Sequence, residues 1–159
     1  MSLRPAVVPP DHRAMPLPGP CPAVPGDAPC RVLLVADHRA ATTALGAHLR
    51  RHGFHIVGLE AAPAAVRAAA ARELPDVVLI DASVGGGWQA VVSALDSISP
   101  HRVAVLAAYW GSEARRDAAE AGIGATLLKQ VSGGDLVARL RALAVPRASG
   151  AAAADGPAS

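Results

Sequence analysis

Asp37, Asp81 and Lys129 are the residues whose types and positions could do chemistry together. Asp81 ends the run VVLID and is followed by the loose stretch ASVGGG. Asp37 ends RVLLVAD, and Lys129 ends GATLLK. Two carboxylates beside an ammonium can hold a hard divalent cation. Magnesium suits such a set, because it takes one or two carboxylates and keeps several waters. A carboxylate facing that cation can act as a nucleophile toward a phosphoryl group. The lysine can then pair with the phosphate as a point charge. Glycines after Asp81 allow close backbone approach.

These residues need elements that bring them together. The middle of the chain alternates short apolar runs with helical patterns. RVLLVAD (31–37), FHIVGL (54–59), DVVLI (76–80), RVAVLAA (102–108) and GATLL (124–128) read as five strands. Helical spacing is expected over 39–52, 62–73, about 87–97, 112–122 and 133–144. Pro63 suits a first turn, Ser112 suits a cap, and Gly122 suits a stop. Leu136, Val137, Leu140 and Leu143 share one face of the last helix. Strands apolar throughout, alternating with helices, imply a doubly wound parallel sheet covered on both sides. The expected α/β architecture has three layers and strand order 2-1-3-4-5. All strand C-termini then lie along one rim, where the two acids and the lysine converge.

At these residues the chain resembles the receiver domain of bacterial response regulators, over residues 31 to about 145. VLLVADH resembles the family's first strand, which usually ends in an acidic pair. PDVVLID resembles the strand that carries the phospho-acceptor, which falls on Asp81. ATLLK resembles the strand that carries the family's lysine, which falls on Lys129. Asp37 and Asp81 are 44 residues apart, close to the family's spacing. The resemblance implies a flavodoxin-like fold and a role in two-component phosphorelay signalling. It implies Asp81 as phospho-acceptor, Lys129 as phosphate partner, and a weak magnesium set of Asp37, Asp81 and Ser83. A histidine kinase or phosphotransfer protein is the implied partner.

Several family positions are occupied differently. Ala36 replaces one acid of the pair. Ala107 replaces the hydroxyl residue that ends the fourth strand. Thr126 replaces the aromatic switch residue. Gln130 stands where proline often follows the lysine, and Gly85 sits near another missing proline. Hydrogen bonds to charged groups contribute about 1.5–3 kcal/mol, and coupling between sites is typically about 1–3 kcal/mol. Losing the hydroxyl at 107 therefore removes most of the usual switch. Losing one acid only weakens the metal site. Phosphate acceptance can persist while its readout does not.

The remaining features set bounds. Aromatics are 3% of the chain, so its core is built from Ala, Val and Leu. The net charge of +2 gives no reason to expect nucleic acid. No helix-turn-helix pattern follows residue 145. No apolar run reaches the roughly 18 residues of a membrane span, and the N-terminal stretch does not read as a secretion signal. A cytoplasmic location is expected. Residues 1–29 are rich in proline and read as a disordered arm; residues 147–159 read as a disordered tail. The receiver-like domain is expected over 30–146. Cys21 and Cys30 match no zinc pattern and read as free thiols. His48, His52 and His55 read as a solvated helix end rather than a zinc site. GGG at 85–87 is not a nucleotide cradle, because no Lys-Ser/Thr follows. Trp88 and Trp110 are expected to be partly buried near the rim.

Three functions compete. The first is a non-enzymatic single-domain regulator phosphorylated at Asp81. The second is a degenerate receiver that binds protein partners without phosphate. The third is a flavodoxin-like binder of a small ligand. Mixed charge on the fourth and fifth helices, including Arg115, Arg116, Arg139, Arg141, Glu113 and Asp135, reads as a solvated face. A homodimer through those helices is its functional alternative. The set Asp37–Asp81–Lys129 separates the first two from the third, and Ala36, Ala107 and Thr126 favour the second over a fully switching form of the first; atypical phosphorelay signalling is the expectation.

Overall fold

The computed structural model describes residues 28–144. The expected arm over 1–29 therefore lies outside the described residues except for its last two positions. The expected tail over 147–159 lies outside them entirely, as do the last two residues of the expected domain.

The strands are β1 (Arg31–Val35), β2 (His55–Glu60), β3 (Val77–Asp81), β4 (Val103–Ala107) and β5 (Ala125–Leu128). The helices are α1 (Arg39–Arg51), α2 (Pro63–Glu73), α3 (Gly87–Ala94), α4 (Ser112–Glu120) and α5 (Gly133–Leu143). The five strands form one sheet in the order β2-β1-β3-β4-β5, and every adjacent pair is parallel. The expected fold class and strand order are those observed.

Burial follows directly from strand position. The central strands β1, β3 and β4 are buried almost throughout, and the edge strands β2 and β5 only in part. Alternate residues point to opposite faces and make two cores. Leu33, Val35, Val78, Ile80 and Val105 pack with α2, α3 and α4. Val32, Leu34, Leu79 and Leu106 pack with Leu49 of α1 and with Leu136, Val137 and Leu140 of α5. Ile80 and Leu79 are among the largest fully buried side chains. Burying such a side chain stabilises the fold by about 1.5–3 kcal/mol.

The boundaries depart from expectation at several places. β1 stops at Val35, and Asp37 lies in the loop beyond it. The Ala36 amide still donates to Glu60 O at 2.9 Å, so pairing extends one residue past the strand. β3 begins at Val77, not Asp76. Asp76 is buried, and its carboxylate accepts the Arg31 amide at 2.8 Å, which pins the start of β1. Gly111 rather than Ser112 caps α4. Gly122 ends that helix region with φ at +71°, a conformation that favours glycine. Gly124 opens β5 with its backbone against the His101 carbonyl, where no side chain fits. Cys30 has a free thiol, half-buried. Burial and the nearby Asp76 push its pKa up to about 11, with Arg141 opposing. It is therefore a poor nucleophile at neutral pH. Cys21 lies outside the described residues.

Candidate functional site

The strand register sets the rim. Val35 pairs with Ile80, Asp81 with Leu106, and Ala107 with Leu128. The C-termini of β1, β3, β4 and β5 are thus level. Asp81 is the last residue of β3, and Lys129 directly follows β5.

Lys129 Nζ donates to Asp81 Oδ2 at 2.8 Å. It also approaches Ser83 Oγ at 3.4 Å. Asp81 Oδ1 accepts from the Ser83 amide at 2.9 Å and from its hydroxyl at 2.7 Å. Both carboxylate oxygens of Asp81 are therefore occupied. Burial pushes the Asp81 carboxyl up, but the Lys129 and Ser83 hydrogen bonds and the Lys129 charge outweigh it. They hold it below its ordinary value. The Asp81 side chain is 19% exposed and Lys129 37%, so solvent screens the pair.

Asp37 enters the site through the backbone. Its Oδ2 accepts the Gly85 amide at 2.6 Å and ties the loop after β1 to the loop after β3. Gly86 and Gly87, at φ +83° and +81°, turn that loop into α3 in a conformation that side chains disfavour. The expected set of Asp37, Asp81, Ser83 and Lys129 thus shares one rim. Among the described residues no three metal-binding side chains cluster. The donors that remain are hard oxygens: two carboxylates and the Ser83 backbone. They fit magnesium with a water-rich shell better than a softer metal.

The departures have visible places. Ala36 is half-buried just before Asp37, and Ala107 is buried at the end of β4. The Lys129 amide donates to the Ala107 carbonyl at 2.8 Å, so the lysine is anchored beside a residue that lacks a hydroxyl. Thr126 is exposed on β5.

Other expectations need correction. Trp88 and Trp110 are buried rather than partly so, at 5% and 6% exposure. They pack edge to face, 6.4 Å between centroids, and Trp110 Nε1 donates to Leu127 O at 2.9 Å. The glycine turn aims Trp88 into the core instead of along the rim. His52 and His55 are exposed, as a solvated helix end requires. His48 is not: its Nε2 is buried with no hydrogen-bond partner. Arg141 is not simply solvated either. It donates to His52 O at 2.8 Å and covers the Phe54 ring. Sequence reasoning missed the Gly85 amide and His48. Only the topology brings each to its partner.

No family model matches the sequence, and no curated protein sequence matches it. Solved structures do. The receiver domain of NarL from Mycobacterium tuberculosis shares 25% identity over 75% of this chain and 98% of its own, with a TM-score of 0.66. The BeF3-activated receiver domain of RstA from Klebsiella pneumoniae shares 25% identity over 70% of this chain and 96% of its own, with a TM-score of 0.62. This chain carries a receiver domain. A third similar structure is the receiver domain of the sensor histidine kinase PA1611 from Pseudomonas aeruginosa, with magnesium in its active-site cleft. It shares 22% identity over 73% of this chain and 98% of its own, with a TM-score of 0.62. The neighbours are signalling modules, so a role in two-component signalling follows for this receiver. No described helix is long and apolar enough to cross a membrane.

Proposed function

We propose that this receiver works in a cytoplasmic phosphorelay and takes a phosphoryl group on Asp81. The Asp81–Lys129 pair at 2.8 Å on the rim carries the reading. An Asp81 carboxylate oxygen attacks the phosphorus of a phosphohistidine or a small phosphodonor. The donor's bond to phosphorus breaks, the donor keeps the electron pair, and an acyl phosphate forms on Asp81. Lys129 then exchanges its bond to Asp81 Oδ2 for one to the new phosphate. Ser83 holds the other oxygen of the carboxylate and fixes the angle of attack. Magnesium, held by Asp37, Asp81 and the Ser83 backbone oxygen, would neutralise phosphate charge. The low Asp81 pKa keeps the nucleophile ionised at neutral pH.

A histidine kinase or phosphotransfer protein is the natural donor. The exposed charges of α4 and α5 supply a second surface, suited to a homodimer or an output partner. Incubation with magnesium and acetyl phosphate, followed by intact-mass measurement, tests the reading. One added phosphoryl group is expected, absent in Asp81→Asn.

A second reading is a phosphate-independent interaction module. Ala36 and Ala107 favour it: the site lacks one acid of the usual pair and the hydroxyl at the end of β4. An unmodified mass at saturating donor would select this reading.

A further inference from the structure

Ser83 is engaged from two sides. Its hydroxyl donates to Asp81 Oδ1 at 2.7 Å, and Lys129 Nζ lies 3.4 Å from the same oxygen. The residue is exposed, so a solute can reach it. A hydroxyl oxygen carries two lone pairs. Lys129 takes at most one, and the other is open to an electrophile.

Such a hydroxyl is placed as an activated nucleophile. A serine attacks poorly until a neighbouring base takes its proton. Asp81 is within hydrogen-bond reach of that proton, the first geometric requirement of a general base. Protein kinases use the same pairing, an aspartate that accepts the proton of a substrate hydroxyl. Lys129 adds a positive charge where phosphoryl oxygens would sit. Ser132 has only half of this. It donates to Asp135 Oδ2 at 2.7 Å. Its oxygen, however, accepts the Asp135 amide at 3.1 Å as a helix cap, and among the described residues no cation is bonded to it.

We propose that Ser83 is a second phosphoryl acceptor, taking the group from a small acyl phosphate with Asp81 as its base. Ser83 Oγ attacks phosphorus and forms the new O–P bond. The donor's O–P bond breaks, and the donor leaves as a carboxylate with the electron pair. The hydroxyl proton passes to Asp81 and then to solvent. The product is a phosphate monoester, far slower to hydrolyse than an acyl phosphate on Asp81. The two marks exclude one another. A phosphorylated Asp81 cannot act as base, and a phosphoserine of roughly −2 charge engages Lys129 and repels a second donor. Acceptance on Ser83 rests on the Asp81 reading only in needing a phosphodonor at the rim.

The full chain is incubated with magnesium and acetyl phosphate and then divided. One half is treated with neutral hydroxylamine, which strips acyl phosphates and spares phosphoserine. Intact mass and peptide fragmentation read both halves. A hydroxylamine-resistant phosphoryl group on Ser83 is expected, retained as phosphothreonine in Ser83→Thr and absent in Ser83→Ala. Asp81→Asn should form it about a hundredfold more slowly or worse, the scale of a lost general base. Ser132 should stay unmodified. A phosphoryl group removed entirely by hydroxylamine overturns the proposal and leaves the Asp81 reading standing. No phosphoryl group at all overturns both. A resistant group that forms as fast in Asp81→Asn, or equally on Ser132, also overturns the proposal.

Discussion

Lys129 reaches across the end of β4 to meet Asp81 at the end of β3, Nζ to Oδ2 at 2.8 Å. The strand it passes ends in Ala107, whose carbonyl accepts the Lys129 amide at 2.8 Å and anchors the lysine there. The bridge therefore links two strands that are not neighbours. Asp81→Asn should lower stability by about 1 kcal/mol, the scale of a partly exposed pair with its hydrogen bonds. Urea unfolding measures this. A variant more stable than wild type would mean that the acids of the rim repel more than the lysine attracts.

The same pair sets an acid dependence. The folded Asp81 pKa lies below its ordinary value of 3.8. The bridge's contribution is thus full above the unfolded pKa and is lost as pH falls through the lower folded value. Wild type should lose stability on acidification below about pH 5 more steeply than Asp81→Asn. Thermal melts of both proteins from neutral pH to about pH 2 should converge at the acid end.

Ala36→Asp restores the second acid beside Asp37. Added ligand charge tightens divalent binding. Magnesium affinity should rise about tenfold from a millimolar-scale starting point, by calorimetry. The apo variant should also be less stable than wild type, because like charges crowd one rim.

Phosphorylation should leave α4, β5 and α5 little changed. Ala107 has no hydroxyl to bond the phosphate, and exposed Thr126 has no ring to move inward. Amide exchange over residues 111–144, with and without beryllofluoride, should agree closely. Ala107→Thr should enlarge the difference. A large change in the wild type would mean that the switch operates through other groups.

Gly133 and Gly134 are adjacent in α5 and should respond oppositely to alanine. A Cβ at 133 meets the His48 ring, whereas a Cβ at 134 meets nothing within 4 Å. Gly133→Ala should cost about 1–3 kcal/mol by overpacking. Gly134→Ala should stabilise by about 0.5–1 kcal/mol, through helix propensity and reduced unfolded-state entropy. Chemical denaturation of the two variants separates the effects.

The sequence by itself determined the architecture and the rim. Runs such as VLLV and VVLI are apolar at every position, which only strands buried on both faces can use. Helical spacing between them forces right-handed crossovers, and these align the strand ends. Asp37, Asp81 and Lys129 then meet because each stands at or just past a strand's C-terminus. That inference needs no side-chain geometry. Tertiary structure decided what those groups touch. Whether Lys129 bonds Asp81 or water depends on the register across β4, which periodicity does not encode. Asp37 engages an amide 48 residues away because the glycine loop after β3 bends toward it. Trp88 packs inward on Trp110 because the same turn sets the direction of α3. A cavity of about 470 Å³ between α1 and α5, lined in part by Ala36, Ala41 and Gly133, and the unpartnered His48 nitrogen depend on how closely those helices approach the sheet. Helix spacing reflects summed side-chain volumes at the contact, and Gly133 is far along the chain from Ala36 and Ala41. Only the folded packing brings those three small residues to one place.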